Sequence, residues 1–527
     1  MKNVKNILFI MADQLRWDYL SCYGHPTLKT PNIDRLAAKG MRFNAAYVQS
    51  PICGPSRASF YTGRTVFSHG VTGNQTPLPI GELTIGDYLR PLGMRTAVVG
   101  KTHMKPDLDG MARLGVKPNS KYGKVFAEPG FEPYERDDGL HPSELLKRKG
   151  RGPHYNDWLR SLGYDGENPW ETWANSAEDE DGNILSGWQL RNSNRPARIR
   201  EEHSETAYMT DRAMEFIEET GDNPWMLHLS YIKPHWPYIA PAPYHELYGP
   251  DKFIPPHRSD TECNNPNPVY EAFMNMDVSK TFSRDEVRET VLCGYMGLIK
   301  QLDDHMGRLL DFLEKSGRMD DTLIVFTSDH GDYMGDHWLG EKELFHEESI
   351  RIPLVIYDPV AEADQTRGTT AEHLVESIDL LPTFIEAAAG KVNAPALEGS
   401  SLIPILYGQE RDGWRDSVFS EIDYSFYQAR EALDIGISQA YAYMIRTDNW
   451  KYVYFKGYPP QLFDLTNDPD EFSDLGESDV HASIRAEMKN RLFERLSSRK
   501  KCTTMAEEDI LKVRDVNKEN GILIGEW

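Results

Sequence analysis

The chain of 527 residues has little cysteine, a deficit of basic charge and no long apolar run. Its five cysteines (Cys22, Cys53, Cys263, Cys293 and Cys502) are odd in number and widely spaced, which excludes a disulfide framework and fits reduced thiols. No apolar stretch approaches the ~20 residues that span a bilayer, so no transmembrane helix and no membrane partner are expected. Lys2 and Lys5 precede the apolar run Ile7 to Met11, but that run is too short for a signal-peptide core and Asp13 ends it; the cytoplasm is the expected compartment. Basic residues number 58 against 82 acidic ones, a formal net charge of -24, which argues against nucleic acid as a partner. The same charge repels a small anionic substrate, so activity on one requires a local cluster of cations or a metal.

What is present suits a soluble enzyme with a large core. Asn6 to Met11 is predicted as a buried strand that stops at the polar pair Asp13-Gln14. Thr30 and Pro31 supply a cap and a first-turn proline for a helix over Asn32 to Lys39, ended by Gly40. Further apolar runs at Ala97 to Gly100, Trp225 to Tyr231, Leu323 to Ser328 and Pro353 to Tyr357 alternate with helical patterns such as Glu286 to Lys315. This alternation predicts a mainly parallel α/β sheet with ligands at the strands' C-terminal ends.

A catalytic domain is expected over 1–400. Within it, the polar stretch at about 107–205, with Trp158, Trp170, Trp173 and Trp188, reads as an insertion or lid. Its tryptophans suit either stacking on an aryl group or a choline-like cation, or the lid's own core. A smaller domain follows over 401–500, with a hairpin around Ala442 to Phe455 and a helix from Ser483 to Ser498. The tail 501–527 ends in the apolar run Ile522 to Trp527, which needs a surface to dock on and predicts an oligomerisation arm in a homodimer or homotetramer.

Three polar clusters each follow an apolar strand: Asp13-Gln14, Lys101-Thr102-His103 and Asp329-His330. Carboxylates with amide and imidazole ligands suit one hard divalent cation, Ca2+ or Mn2+ before Mg2+. Any one pair taken alone also reads as a solvated strand end or a helix cap. The decisive segment is Pro51 to Arg64, which sets Cys53, Pro55, Ser56, Arg57, Thr62, Gly63 and Arg64 at one spacing. It resembles the signature of the type I sulfatases in the alkaline phosphatase superfamily, Cys-x-Pro-Ser-Arg followed by Thr-Gly-Arg. Thr30 to Gly40, Gly100-Lys-Thr-His103, Lys233-Pro-His-Trp-Pro237, Thr327-Ser-Asp-His-Gly331 with Gly335-Asp-His337, and Gln461 to Glu471 are similar to that family's other segments, in order.

The resemblance implies an alkaline-phosphatase-like α/β sandwich with a mainly parallel sheet flanked by helices, plus a C-terminal domain with a short antiparallel sheet and a helix. It implies that a separate maturation enzyme oxidises Cys53 to formylglycine, whose hydrated diol attacks the sulfur of a small sulfate ester. Asp13, Gln14, Asp329 and His330 would hold the metal with the Cys53-derived group. Lys101, Lys342 and Arg57 would surround the sulfate and the nucleophile, with His235 as general acid and His103 taking the proton that releases sulfate. Lys342 alone also reads as an exposed lysine, and Asn74 either donates to a sulfate oxygen or closes a turn after Gly73. His154, His337 and His346 carry no assigned role.

Two departures bear on the reaction. The pairs Asp13-Gln14 and Asp329-His330, with Gly54 after Cys53, look like phosphonate monoester hydrolases, and the metal pairs also like choline sulfatases. Lys101 and His103 follow the sulfatase pattern, where phosphonate hydrolases tend to have Tyr and Thr. The expected activity is therefore an arylsulfatase-type hydrolysis with promiscuity toward phosphodiesters and phosphonates. The alternatives are a phosphonate or phosphodiester hydrolase, a choline-sulfatase-like enzyme, or an anion-binding relative in which Cys53 stays a thiol.

Overall fold

The computed structural model describes residues 4–149, 152–390, 395–409, 413–500, 505–513 and 516–521. Ile522 to Trp527, on which the oligomerisation arm was expected, and Cys502 lie outside them. Strands β1 (Asn6–Ala12), β2 (Met41–Tyr47), β3 (Arg95–Gly100), β4 (Glu132–Arg136), β5 (Ser176–Glu178), β6 (Ile184–Ser186), β7 (Trp225–Tyr231), β8 (Thr322–Ser328), β9 (Arg351–Tyr357), β10 (Thr369–Ala371) and β11 (Val375–Glu376) precede a second group. That group is β12 (Val418–Asp423), β13 (Tyr441–Arg446), β14 (Trp450–Phe455) and β15 (Gln461–Asp464).

The main sheet has nine strands in the order β10-β2-β9-β8-β1-β7-β3-β4, with β11 also on β2. Pairings from β8 through β1, β7 and β3 to β4 are all parallel, and β9 is antiparallel to both neighbours. Every residue of β1, β7 and β8 is buried, as expected of parallel strands covered on both faces. Alternation along β1 divides the core: Ile7, Phe9 and Met11 join one apolar cluster with Phe60, Tyr61 and Phe384. Leu8, Ile10 and Ala12 join another with the long helices.

Five helices position these layers: α1 (Pro31–Lys39), α2 (Cys53–Thr62), α3 (Glu205–Thr220), α4 (Asp285–Lys315) and α5 (Ala482–Ser497). Helix α2 is buried at all ten residues. The cap expected from Thr30 is supplied instead by Asp303 of α4, whose Oδ1 accepts the Asn32 and Ile33 N–H groups at 3.0 and 2.9 Å. Thr30 Oγ1 accepts the Ser21 N–H, so a tertiary carboxylate replaces the local oxygen.

Residues 107–205 do more than cover the sheet: they add β4 to its edge, and Trp170 forms a separate cluster with Tyr155, Leu159 and Tyr208. Trp158, Trp173 and Trp188 pack against that cluster, so these tryptophans build the segment's own core. The antiparallel sheet β12-β13-β14-β15 is covered by Met488 and Leu492 of α5. No helix among the described residues is long and apolar enough to cross a membrane.

One glycine fixes the approach of two strands at the site. Gly100 ends β3 at φ 102°, and a Cβ there would lie 2.0 Å from the Ser230 carbonyl oxygen. Gly100→Ala is expected to cost about 3 kcal/mol by combining a left-handed backbone with a backbone clash. Urea unfolding checks this; a midpoint equal to that of the parent protein would contradict it.

Candidate active site

Four adjacent parallel strands end on one edge, and each delivers its polar residues there. β1 is followed by Asp13 and Gln14, β8 by Asp329 and His330, β3 by Lys101 and His103, and β7 by His235. Helix α2 brings Cys53 to the same place as its first residue, with Sγ 3.0 Å from His330 Nε2. The Gly54 N–H donates to Asn74 Oδ1 at 2.8 Å, and a Cβ at position 54 would lie 2.9 Å from that oxygen. Asn74 therefore uses its carbonyl to hold the helix start.

Arg57 is fully engaged inside the protein. Its Nε donates to Asp329 at 2.8 Å, Nη1 to the Lys101 carbonyl and Ser230 Oγ at 2.8 Å each, and Nη2 to Asp13 at 3.2 Å. With its fork spent on both carboxylates inside the protein, Arg57 ties Asp13 to Asp329 beside Cys53. The cations left for an anion are Lys101, which also pairs with Asp13, and Lys342. Both are buried, and Lys342 Nζ donates to Gln14 Oε1 at 2.7 Å.

Asp13 Oδ1 is buried without a hydrogen-bond partner. Asp13, Cys53, Asp329 and His330 each offer a ligand atom, and these atoms lie within 4.8 Å of one another. One cation at ~2.0–2.6 Å from each bridges such a spacing, so the donor set fits a divalent metal. Gln14 borders this set, its amide held by Asp332 and by Tyr238 Oη at 2.9 Å.

The charges tune one another. Burial opposes ionisation of Cys53, yet Lys342, His330 and Lys101 hold the thiol well below its ordinary range. Burial likewise opposes charge on His330, but Asp329 and the Cys53 sulfur push it up to about 9. Burial and Lys101 lower His235, whose Nδ1 lies 2.8 Å from the Trp236 carbonyl. His103 adopts a left-handed backbone (φ 53°) and has an unpartnered buried Nδ1. Its backbone N–H donates to Asp138 at 3.0 Å, and Arg136 grips that carboxylate through both Nη atoms at 2.6 and 2.9 Å.

Three supports were missed in the sequence: Asp332, Tyr238 and the Arg136–Asp138 pair. The first two lie within two residues of quoted motif segments, at Asp329-His330 and at Pro237, and that adjacency was the available signal. Arg136 and Asp138 sit in the segment read as a lid and carried no signal. His337 lies away from the nucleophile: Nδ1 meets Glu262 at 2.7 Å, Nε2 meets Glu348 at 3.2 Å, and the ring stacks on His346 at 4.0 Å. His154 lies 3.5 Å from Glu135.

A family model described as Sulfatase matches residues 5–391, and one described as N-sulphoglucosamine sulphohydrolase, C-terminal, matches residues 335–498. The chain belongs to the sulfatase family. It is 32% identical over 503 residues to a multifunctional alkaline phosphatase superfamily protein, PehA, of Trinickia caryophylli, covering 91% of this chain and 93% of that one. It is 26% identical to an arylsulfatase of Clostridium perfringens, covering 94% and 95% of the two chains. Among solved structures it resembles the phosphonate monoester hydrolase of Silicibacter pomeroyi, with a TM-score of 0.82 and 28% identity over 96% of this chain and 98% of that one. Membership of the sulfatase family implies, in general terms, a metal ion and a formylglycine at this centre.

Because Arg57 compensates two buried carboxylates, Arg57→Met is expected to destabilise the chelator-treated protein by about 3–5 kcal/mol. Added Mn2+ should narrow that gap by supplying the missing positive charge. Denaturant titrations with EDTA and with Mn2+ measure both; an equal deficit in the two conditions would refute this role.

Proposed function

We propose that this member of the sulfatase family, a hydrolase acting on sulfate esters, cleaves the sulfate monoesters of phenols or small alcohols. Its nucleophile would be a formylglycine made from Cys53 by a separate maturation enzyme. The observation that carries this is Cys53 at the start of a buried helix, 3.0 Å from His330 and under the charge of Lys101 and Lys342. Asp13, Gln14, Asp329 and His330 would hold the cation, with Ca2+ and Mn2+ suiting the mixed oxygen and imidazole donors better than Mg2+. Bound there, the metal would act as a Lewis acid and favour an oxygen nucleophile near neutral pH.

The remaining work falls to the chain's own groups. Lys101 and Lys342 attract the non-bridging oxygens and concentrate positive potential in a molecule that is acidic overall. His235 serves as the acid that protonates the departing oxygen. Burial and Lys101 disfavour its charged form, whereas an ester anion beside it favours that form, which couples proton donation to substrate arrival. His103 takes, through its unpartnered Nδ1, the proton whose loss releases sulfate. Asp138 and Arg136 maintain the strained backbone that turns His103 inward. Asn74 keeps a side-chain amide nitrogen available beside the helix start.

A phosphonate or phosphodiester hydrolase is the second reading, favoured by the likeness in fold and identity to the Silicibacter pomeroyi enzyme. Parallel kcat/KM measurements on 4-nitrophenyl sulfate and phenyl 4-nitrophenyl phosphonate separate the two. The sulfate is expected to be the better substrate, and faster turnover of the phosphonate would reverse the order.

Cys53→Ser tests the nucleophile itself. A serine offers a single oxygen, so a sulfo group transferred to it has no neighbouring hydroxyl to expel it. The variant is expected to stop after at most one turnover and to carry one sulfo group on the peptide spanning residues 49–64. Sustained turnover would overturn the mechanism.

A further inference from the structure

The segment that follows β7 carries His235, and its backbone is fixed by its own residues. Pro234 and Pro237 restrict the chain on either side of His235 and Trp236. Lys233 Nζ donates to the Pro237 carbonyl at 2.9 Å and to Asn175 Oδ1 at 3.0 Å, and the His235 backbone N–H donates to the Ile232 carbonyl at 3.1 Å. The imidazole itself is tied at Nδ1, 2.8 Å from the Trp236 carbonyl. A carbonyl only accepts, so Nδ1 carries the hydrogen and Nε2 is left for proton transfer. A tie at one corner does not set the plane of the ring.

The side chain of Trp236 lies against that ring, with 4.0 Å between the two ring centroids and 41° between their planes. Trp236 is held there by packing, because its Nε1 is buried with no hydrogen-bond partner. Its ring lies 5.3 Å from that of Trp188, and Trp188 packs on the cluster built by Tyr155, Leu159 and Trp170. The same indole lies 6.0 Å from Lys342 Nζ, at the limit of attraction between an ammonium and a ring face. One side chain thus borders both the acid and a cation of the anion site, and the core of residues 107–205 stands behind it.

We propose that Trp236 is a positioning residue: its ring holds the His235 imidazole in the plane from which Nε2 reaches the departing oxygen, and residues 107–205 brace it through Trp188. The inference rests on the assignment of His235 as the acid. A proton donor works only within hydrogen-bond reach of the oxygen it protonates, so a ring that swings costs most where protonation is most needed. A residue that merely bound the substrate or supported the fold would slow all esters alike.

Phenyl sulfate and 4-nitrophenyl sulfate are the probes, since phenolate leaves poorly without a proton and 4-nitrophenolate needs little help. The readout is the ratio of kcat/KM on the first to kcat/KM on the second, which does not depend on how much of a variant is folded. Trp236→Leu is expected to lower this ratio at least fivefold, and Trp236→Phe, which keeps a flat ring, to stay within twofold of wild type. His235→Gln should lower the ratio as well, and adding Trp236→Leu to it should change the ratio less than threefold, because a positioning residue acts only through its partner. A smaller drop in Trp236→Leu, a Trp236→Phe ratio no nearer to wild type, or a threefold or larger further change in the double variant would each overturn the inference. An unchanged ratio in His235→Gln defeats the acid assignment and the inference with it, whereas a drop in His235→Gln without one in Trp236→Leu defeats the inference alone. Should phosphonates prove the better substrates, the phenyl and 4-nitrophenyl esters of phenylphosphonate give the same comparison.

Discussion

The guanidinium of Arg57 is the constraint on which the site depends. Two carboxylates from separate strands, Asp13 and Asp329, are brought together inside the protein, and their repulsion would open the sheet edge if nothing lay between them. Arg57 reaches both, and its remaining donors take the Lys101 carbonyl and Ser230. A single side chain on α2 therefore ties β1, β8, β3 and β7 at their C-terminal ends. The helix that carries Cys53 is held in register with its surroundings by the same contacts. A lysine could supply the charge at that position but not the planar fork that meets four partners.

Much of this was legible in the residues because strand ends and chemistry coincide. The buried strand before Asp13-Gln14, the runs before His103, His235 and Asp329, and the signature around Cys53 all rest on local pattern, and local pattern survives folding. What was not legible came from distant pairings. Thr30 had the composition of a helix cap, yet Asp303, far along the chain, took that role. Arg57 was legible as part of the signature, but its pairing with two buried carboxylates from separate strands was not. Nothing in the spacing of Arg136 and Asp138 announced that they would hold His103, because the contact exists only once β4 joins β3. The tryptophans of residues 107–205 suited an aromatic cage as well as a core until their neighbours were known.

The global charge and the local charge point in opposite directions, and the fold reconciles them. The formal charge of -24 belongs to the chain as a whole, whereas Lys101, Lys342 and Arg57 are buried where carboxylates and a thiol balance them. Electrostatic attraction is thus confined to one depth of one edge. Such an arrangement favours a small anion that can enter over a long polyanion that must remain outside.

Helix α2 has a consequence for the life history of the molecule. All ten of its residues are buried, and only 1% of Cys53 is exposed. The maturation enzyme proposed above would need access to this thiol, and the completed fold buries it. The proposed conversion of Cys53 would therefore precede folding, while the segment is still accessible. On that reading the two processes would compete in time: a chain that folded first would be sealed as a thiol, without the proposed nucleophile.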